Sequence, residues 1–360
     1  MTLNTQEINS KDLDALLQLA LAPRQAHSAM SYLANLSDIE WNRLVTIAEA
    51  NHVVIRAFRV VNDQTDGNHR LADAASKVLA REELRIDNAL TFLRHICDEL
   101  EQAGCATTVM KSLDHWPDLG SDLDLYTSAE SRRVIRVMLQ RLGARIEPRS
   151  WGDRVAGKWN FIIPGLPEPV EIHVQRLGQT GEHSAIAKRL VTRRIPKTVN
   201  GLTFLVPSPE ERIIVATLQR MYRHFYFRVC DIVNTLNLLE SRQLDFVELK
   251  KSSDLGGIWP GVATYLKIVC DYALRYRGES SDLPRQVLTA GRFGAEVVQA
   301  GGKFLRVPIV PNSADLYIRQ VTYTALRGDV PATFRLSLLP CFASAAALAF
   351  RITGSDKGIW

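Results

Sequence analysis

The hydrophobic period changes near Thr107, and that change limits the chain to a fold in which a small sheet is enclosed by helices. Before this point apolar residues recur at helical spacing. Ser37 and Glu40 make the pattern of a capping box, and Trp41, Leu44, Val45 and Ala48 continue on one stripe. A second long helical pattern runs from about 71 to 103, and no strand-like alternation precedes Thr107. From there apolar residues come in short runs: 107–110, Leu123 with Leu125, 161–163, 170–174 and 204–206. The turn signals Pro117-Asp118, Pro164-Gly165 and Asn200-Gly201 separate them, with one helix at 129–142 that Gly143 terminates. Ser208 then reads as an N-cap, Pro209 as a first helical residue and Glu211 as the close of a capping box. The remainder is mainly helical, with 261–276, 283–300 and 314–326 as helices. The expected fold is α+β, with a helical subdomain at 1–103, a small mixed-sheet core at 104–207 and a second helical subdomain at 208–360.

A chain of 360 residues with 46% hydrophobic content can bury two or three packed subdomains. Its 44 basic and 39 acidic side chains leave a net charge of +5 with no basic tract, which permits contact with phosphates but does not mark a dedicated nucleic-acid binder. Cys97, Cys105, Cys230, Cys270 and Cys341 are scattered, odd in number and without ligand spacing, so neither zinc nor a disulfide framework is expected. With no basic stretch leading into an apolar core at the start, a cytoplasmic location is the expectation. The apolar run at 336–350 is interrupted by Pro340 and is shorter than the roughly 20 residues a bilayer requires. It reads as a buried helix, with peripheral membrane contact as the alternative and no stable insertion.

The chemistry lies in the segment from Val109 to Tyr126. Lys111 and Ser112 follow a strand, and Asp122 and Asp124 flank Leu123 in the next one. Alternation in a strand puts the two carboxylates on one face and Leu123 and Leu125 on the other. Carboxylates so placed repel unless a cation sits between them, and a hard divalent ion accepts such oxygen ligands together with substrate phosphates. By itself this pattern is also that of a solvated strand end. In Val170-Glu171-Ile172-His173-Val174, Glu171 and His173 share a face and offer a third carboxylate.

Taken together these residues resemble the polymerase-beta-like nucleotidyltransferase superfamily: a strand, a small-residue turn with serine, about nine residues, Asp-hydrophobic-Asp, then a third carboxylate. They are more closely similar to the uncharacterised nucleotidyltransferase family within it, where a Lys-Gly turn follows the first strand and a later strand reads acid-hydrophobic-His. Here those features stand as Lys111-Ser112 and Glu171-Ile172-His173, with looser likeness at 39–44, His224 and 228–232. Ser112 replaces the turn glycine, and Leu119-Gly120-Ser121 stands where an arginine often precedes the first aspartate.

The resemblance implies a nucleotidyltransferase core in which Asp122, Asp124 and Glu171 are catalytic and hold two Mg2+ ions, with Mn2+ as a substitute. Lys111, Ser112 and Arg228 would bind the phosphates of a nucleoside triphosphate. His173, His224 and Asp231 would stand behind the ligands and orient them or touch the acceptor, and His224, Arg228 and Asp231 would share one face of a helix at i, i+4 and i+7. The reaction would move a nucleoside monophosphate to an acceptor hydroxyl or amine and release pyrophosphate. The acceptor (small molecule, peptide, tRNA or protein) and the base are not specified. Two alternatives remain: a catalytically weak nucleotide-binding or regulatory module on the same fold, and a DxD-type nucleotide-sugar glycosyltransferase.

Overall fold

In the computed structural model, residues 2–64, 69–342 and 345 are described. Five helices come first: α1 (Thr2–Leu21), α2 (His27–Ala34), α3 (Asp38–Ala50), α4 (Val54–Asp63) and α5 (His69–Gln102). Ser37 accepts the Glu40 amide while Glu40 reaches back to Ser37, so the capping box at the start of α3 is formed. Along α5, Ala75, Val78, Leu79, Ile86, Ala89, Leu90, Leu93, Ile96 and Leu100 are buried at helical spacing and pack against α4 and the sheet.

The mixed sheet contains β1 (Thr107–Val109), β2 (Leu123–Thr127), β3 (Arg145–Ile146), β4 (Lys158–Ile162) and β5 (Val170–Val174) in the order β1-β2-β5-β4-β3. Helices α6 (Ser131–Gln140) and α7 (Trp151–Ala156) lie between these strands in sequence. Only β2 and β5 are parallel, and their register sets Asp124 opposite Glu171, between Leu123 opposite Val170 and Leu125 opposite Ile172. The leucine, valine and isoleucine side chains are fully buried, so core packing fixes the register that makes the carboxylates neighbours. After α8 (Ser184–Thr192), β6 (Arg194–Val199) and β7 (Leu202–Pro207) form a hairpin. Its turn, Asn200-Gly201, has φ of 46° and 75°, the left-handed geometry that a two-residue hairpin with right-handed strand twist requires.

The C-terminal part contains α9 (Pro209–Gln219), a π-turn at Arg220–His224, β8 (Tyr226–Phe227), α10 (Val229–Glu240), α11 (Phe246–Asp254) and α12 (Trp259–Arg277). Then follow α13 (Arg285–Ala290), β9 (Gln299–Gly301), β10 (Phe304–Arg306), α14 (Ala314–Leu326) and α15 (Val330–Ser337). Helix α1 packs on α10 and α12, and Tyr276 donates a hydrogen bond to Asp14 at 2.6 Å, so the two helical flanks share a core. The α+β class and the helical flanks match expectation.

Three local readings change. The stretch 283–300 is not one helix: α13 ends at Ala290, and β9 pairs with β10, which pairs with β8. At α9, Ser208 is the N-cap but its side chain caps no amide; its hydroxyl goes to Glu210 and Glu211, and Glu211 is drawn to Arg189 at 2.7 Å and Arg193 at 3.2 Å. Buried charge pairing thus replaces the second half of the capping box. The strands β3 and β6 carry too little alternation to be read in advance. Among the described residues no helix is long and apolar enough to cross a membrane, and most of the apolar segment from 343 lies outside those residues.

Candidate active site

The site begins where β1 ends. Lys111 has φ 52° and ψ −56°, a γ-turn conformation, and Ser112 N–H donates back to the Met110 carbonyl across it. A non-glycine residue held there costs on the order of 1–3 kcal/mol, a strain that clusters at functional sites. A 3-10 turn at Ser112–His115 follows. The buried Ser112 hydroxyl accepts the Asp124 N–H at 2.8 Å and lies 3.4 Å from the Asp122 carbonyl. Ser112 therefore holds the aspartate strand in place. Ser112→Ala leaves the buried Asp124 amide unpaired, and urea unfolding should record a loss of about 1–3 kcal/mol. Unchanged stability would show that the amide finds another acceptor.

Asp124 and Glu171 sit side by side on β2 and β5, and one ligand atom each from Asp124, Glu171 and His173 lies within 4.8 Å of the others. Lysines already meet both carboxylates. Lys111 Nζ contacts Asp124, and Lys158 Nζ lies 2.5 Å from Glu171 Oε2 and 3.5 Å from Asp153. On its other oxygen Glu171 takes a 2.7 Å hydrogen bond from His173 Nε2. Asp122 stands just ahead of β2 and outside this cluster, although it lines the same cavity.

Electrostatics separate the two carboxylates. Burial, then the charge of Asp122, pushes Asp124 well above the usual range, with Lys111 opposing. Burial acts to raise Glu171 too, but the hydrogen bond from His173, with the charges of Lys158 and Lys111, outweighs it and holds Glu171 low. His173 is itself pushed down to about 4 by burial, so the neutral imidazole donates from Nε2 and orients an ionised glutamate.

These groups open on a cavity of about 170 Å³. On its walls, Arg223 and Arg228 pair with no carboxylate side chain among the described residues, and Arg228 Nη1 lies 2.5 Å from His52 Nε2. Arg228 Nε is buried without a hydrogen-bond partner among those residues. His52 lies against His115 with ring centres 4.9 Å apart and planes tilted by 32°, and Asn234 donates to His115 Nδ1 at 2.9 Å. Burial and the arginines keep both imidazoles well below their ordinary value. His224 is lowered to about 2, by burial first and then Arg223. The histidines are neutral, and the positive charge of the cavity resides on Lys111, Lys158, Arg223 and Arg228. Carboxylates on one wall and unpaired guanidinium groups on another suit a metal-bound polyphosphate.

No known family model matches the sequence, and no curated protein matches it. Among solved structures, the chain is similar to the crystal structure of an antigenic nucleotidyltransferase-like protein from Paracoccidioides brasiliensis, with TM-score 0.32 and 16% identity over 46% of this chain and 85% of that one.

The expected helical face of His224, Arg228 and Asp231 does not exist. His224 ends a π-turn, Phe225 is left-handed with φ 54°, and Arg228 is the N-cap of α10. The interruption of the helix nevertheless brings His224 and Arg228 to the cavity. Asp231 turns away, pairing with the fully buried Arg220 at 2.7 Å and accepting the Arg228 amide at 2.7 Å. Sequence reasoning also missed His52, Lys158 and Arg223. Alternation from Asn160, which pairs with Glu171, carried the only signal for Lys158; for His52 and Arg223 there was none.

Proposed function

We propose that the chain is a divalent-metal-dependent nucleotidyltransferase that moves a nucleoside monophosphate from a nucleoside triphosphate to an acceptor hydroxyl or amine. The observation that carries the reading is the β2/β5 register, which sets Asp124 beside Glu171 in a cavity that Arg223 and Arg228 also line without carboxylate partners among the described residues. An oxygen-rich donor set with a raised Asp124 fits Mg2+ or Mn2+, because a cation stabilises the carboxylate that burial and Asp122 destabilise. Asp124 and Glu171 would hold it, with Asp122 at the edge. When bound, such an ion offsets phosphate charge and acidifies an acceptor hydroxyl.

The chain's own groups supply the rest. Arg223, Arg228 and Lys111 grip the phosphates and stabilise the leaving pyrophosphate. The acceptor oxygen or nitrogen bonds to the α-phosphorus as the bond to pyrophosphate breaks, and the acceptor proton leaves to solvent. The low position of Glu171 makes it a ligand in preference to a proton acceptor. His173 fixes its orientation, and Lys158 holds its second oxygen.

The contacts of Lys111 with Asp124 and Lys158 with Glu171 favour a second reading, a nucleotide-binding module whose lysines stand where the ions would. Four radiolabelled ribonucleoside triphosphates, tested with Mg2+ and cell extract, separate the two. Label transfer with pyrophosphate release is the expected result. Triphosphate binding that needs no metal and releases no pyrophosphate would favour the module.

A further inference from the structure

Beside the carboxylate cavity lies a second, larger one of about 500 Å³, lined by Tyr222, Arg223, Phe225, Ile309, Tyr317 and neighbouring residues. Its walls are aromatic and aliphatic, and Arg223 is common to both cavities. The backbone between them is irregular in a way that serves both. The π-turn at Arg220–His224 and the left-handed Phe225 send Arg223, His224 and Tyr226 to the carboxylate side, and Tyr222 and Phe225 to the apolar side. A regular helix would set Tyr226 on the face of Tyr222, one turn away, instead of in the carboxylate cavity, and π-turns and left-handed non-glycine residues concentrate where a site requires them. The nucleoside has another place to go. A cleft of about 430 Å³, bordered by Glu49, Arg81, Glu82, Arg85 and Glu168, joins the carboxylate cavity at His52, Gly120 and Ser121.

Resting on the nucleotidyl-transfer reading, we propose that the apolar cavity seats the acceptor, a small amphiphile with an aromatic or short acyl body and a hydroxyl or amine head. The body fills the space between Tyr222 and Tyr317, and the head passes Arg223 to reach the α-phosphate. A cavity of this size buries most of a compact organic molecule, and a charged or fully polar acceptor would lose hydration there without recovering hydrogen bonds.

The test uses 1-anilinonaphthalene-8-sulfonate as a fluorescent apolar probe and the Mg2+ complex of a non-hydrolysable ATP analogue, each titrated into the full chain. The probe should bind at one site per chain. Ala314→Trp, which fills the cavity from α14, should weaken probe binding at least tenfold while analogue affinity stays within about twofold. Tyr317→Ala, which enlarges the cavity, should retain the probe, so that loss of fold is not mistaken for a filled pocket. Probe and analogue should bind together. Competition between them would make this the nucleoside pocket and overturn the proposal while leaving nucleotide binding intact. Probe binding that Ala314→Trp does not change would overturn it as well, as would binding seen only after removal of residues 343–360, which would assign the cavity to the chain's own end. Failure of the analogue to bind under any condition would instead remove the nucleotidyl-transfer reading, and the acceptor role with it.

Discussion

Asp124→Asn is expected to lower Mg2+-dependent transfer by about a thousandfold, about 4 kcal/mol of transition-state stabilisation. The change is nearly isosteric and removes a charge that its surroundings disfavour, since burial and Asp122 both push the Asp124 carboxyl upward. The fold should therefore persist, with circular dichroism and the unfolding midpoint close to wild type. Mn2+ affinity, followed by electron paramagnetic resonance, should fall with activity. If transfer persists at the wild-type rate, the cation is not held by β2. If metal affinity is absent from the wild type as well, Lys111 is a permanent counter-ion and the binding-module reading gains.

The second large effect falls on stability and involves a residue the sequence had assigned to the site. Arg220 is 1% exposed, its Nε lies 2.7 Å from Asp231, and its guanidinium stands 5.4 Å from the Tyr226 ring. Arg220→Met strands the Asp231 carboxylate in the interior, and breaking a buried pair in this way costs about 3–5 kcal/mol. Adding Asp231→Asn removes the stranded charge and keeps an acceptor for the Arg228 amide, so the double variant should regain most of the loss in urea unfolding. Asp231→Asn alone should leave triphosphate affinity unchanged once folded protein is compared with folded protein. A specific loss of nucleotide binding there would return Asp231 to the site.

Short-range pattern settled a large share of this protein. The period change at Thr107, the capping box at Ser37 and the Asn200-Gly201 turn each depend on a few neighbouring residues, and each is present as read. Alternation also placed Glu171 and His173 on one face of a strand, where the 2.7 Å contact between them is found. The helix expected at 283–300 stops at Ala290, and its last residues enter β9, which pairs with β10, which in turn pairs with β8 about 70 residues earlier in the chain, a non-local contact that no local signal encodes.

The candidate site divides along the same line. The sequence by itself determined which carboxylates exist and which face of its strand each takes, because a strand's two-residue period follows from backbone geometry. Only the tertiary structure decided that Asp124 lies beside Glu171, that Lys158 and His173 share Glu171 between them, and that His52 and Arg223 complete the cavity. It also made Ser112 the clamp of the aspartate strand and sent Asp231 to Arg220. Hydrogen bonds and ion pairs are satisfied by whatever packing of the buried apolar residues brings within 3 Å, and those neighbours come from distant parts of the chain.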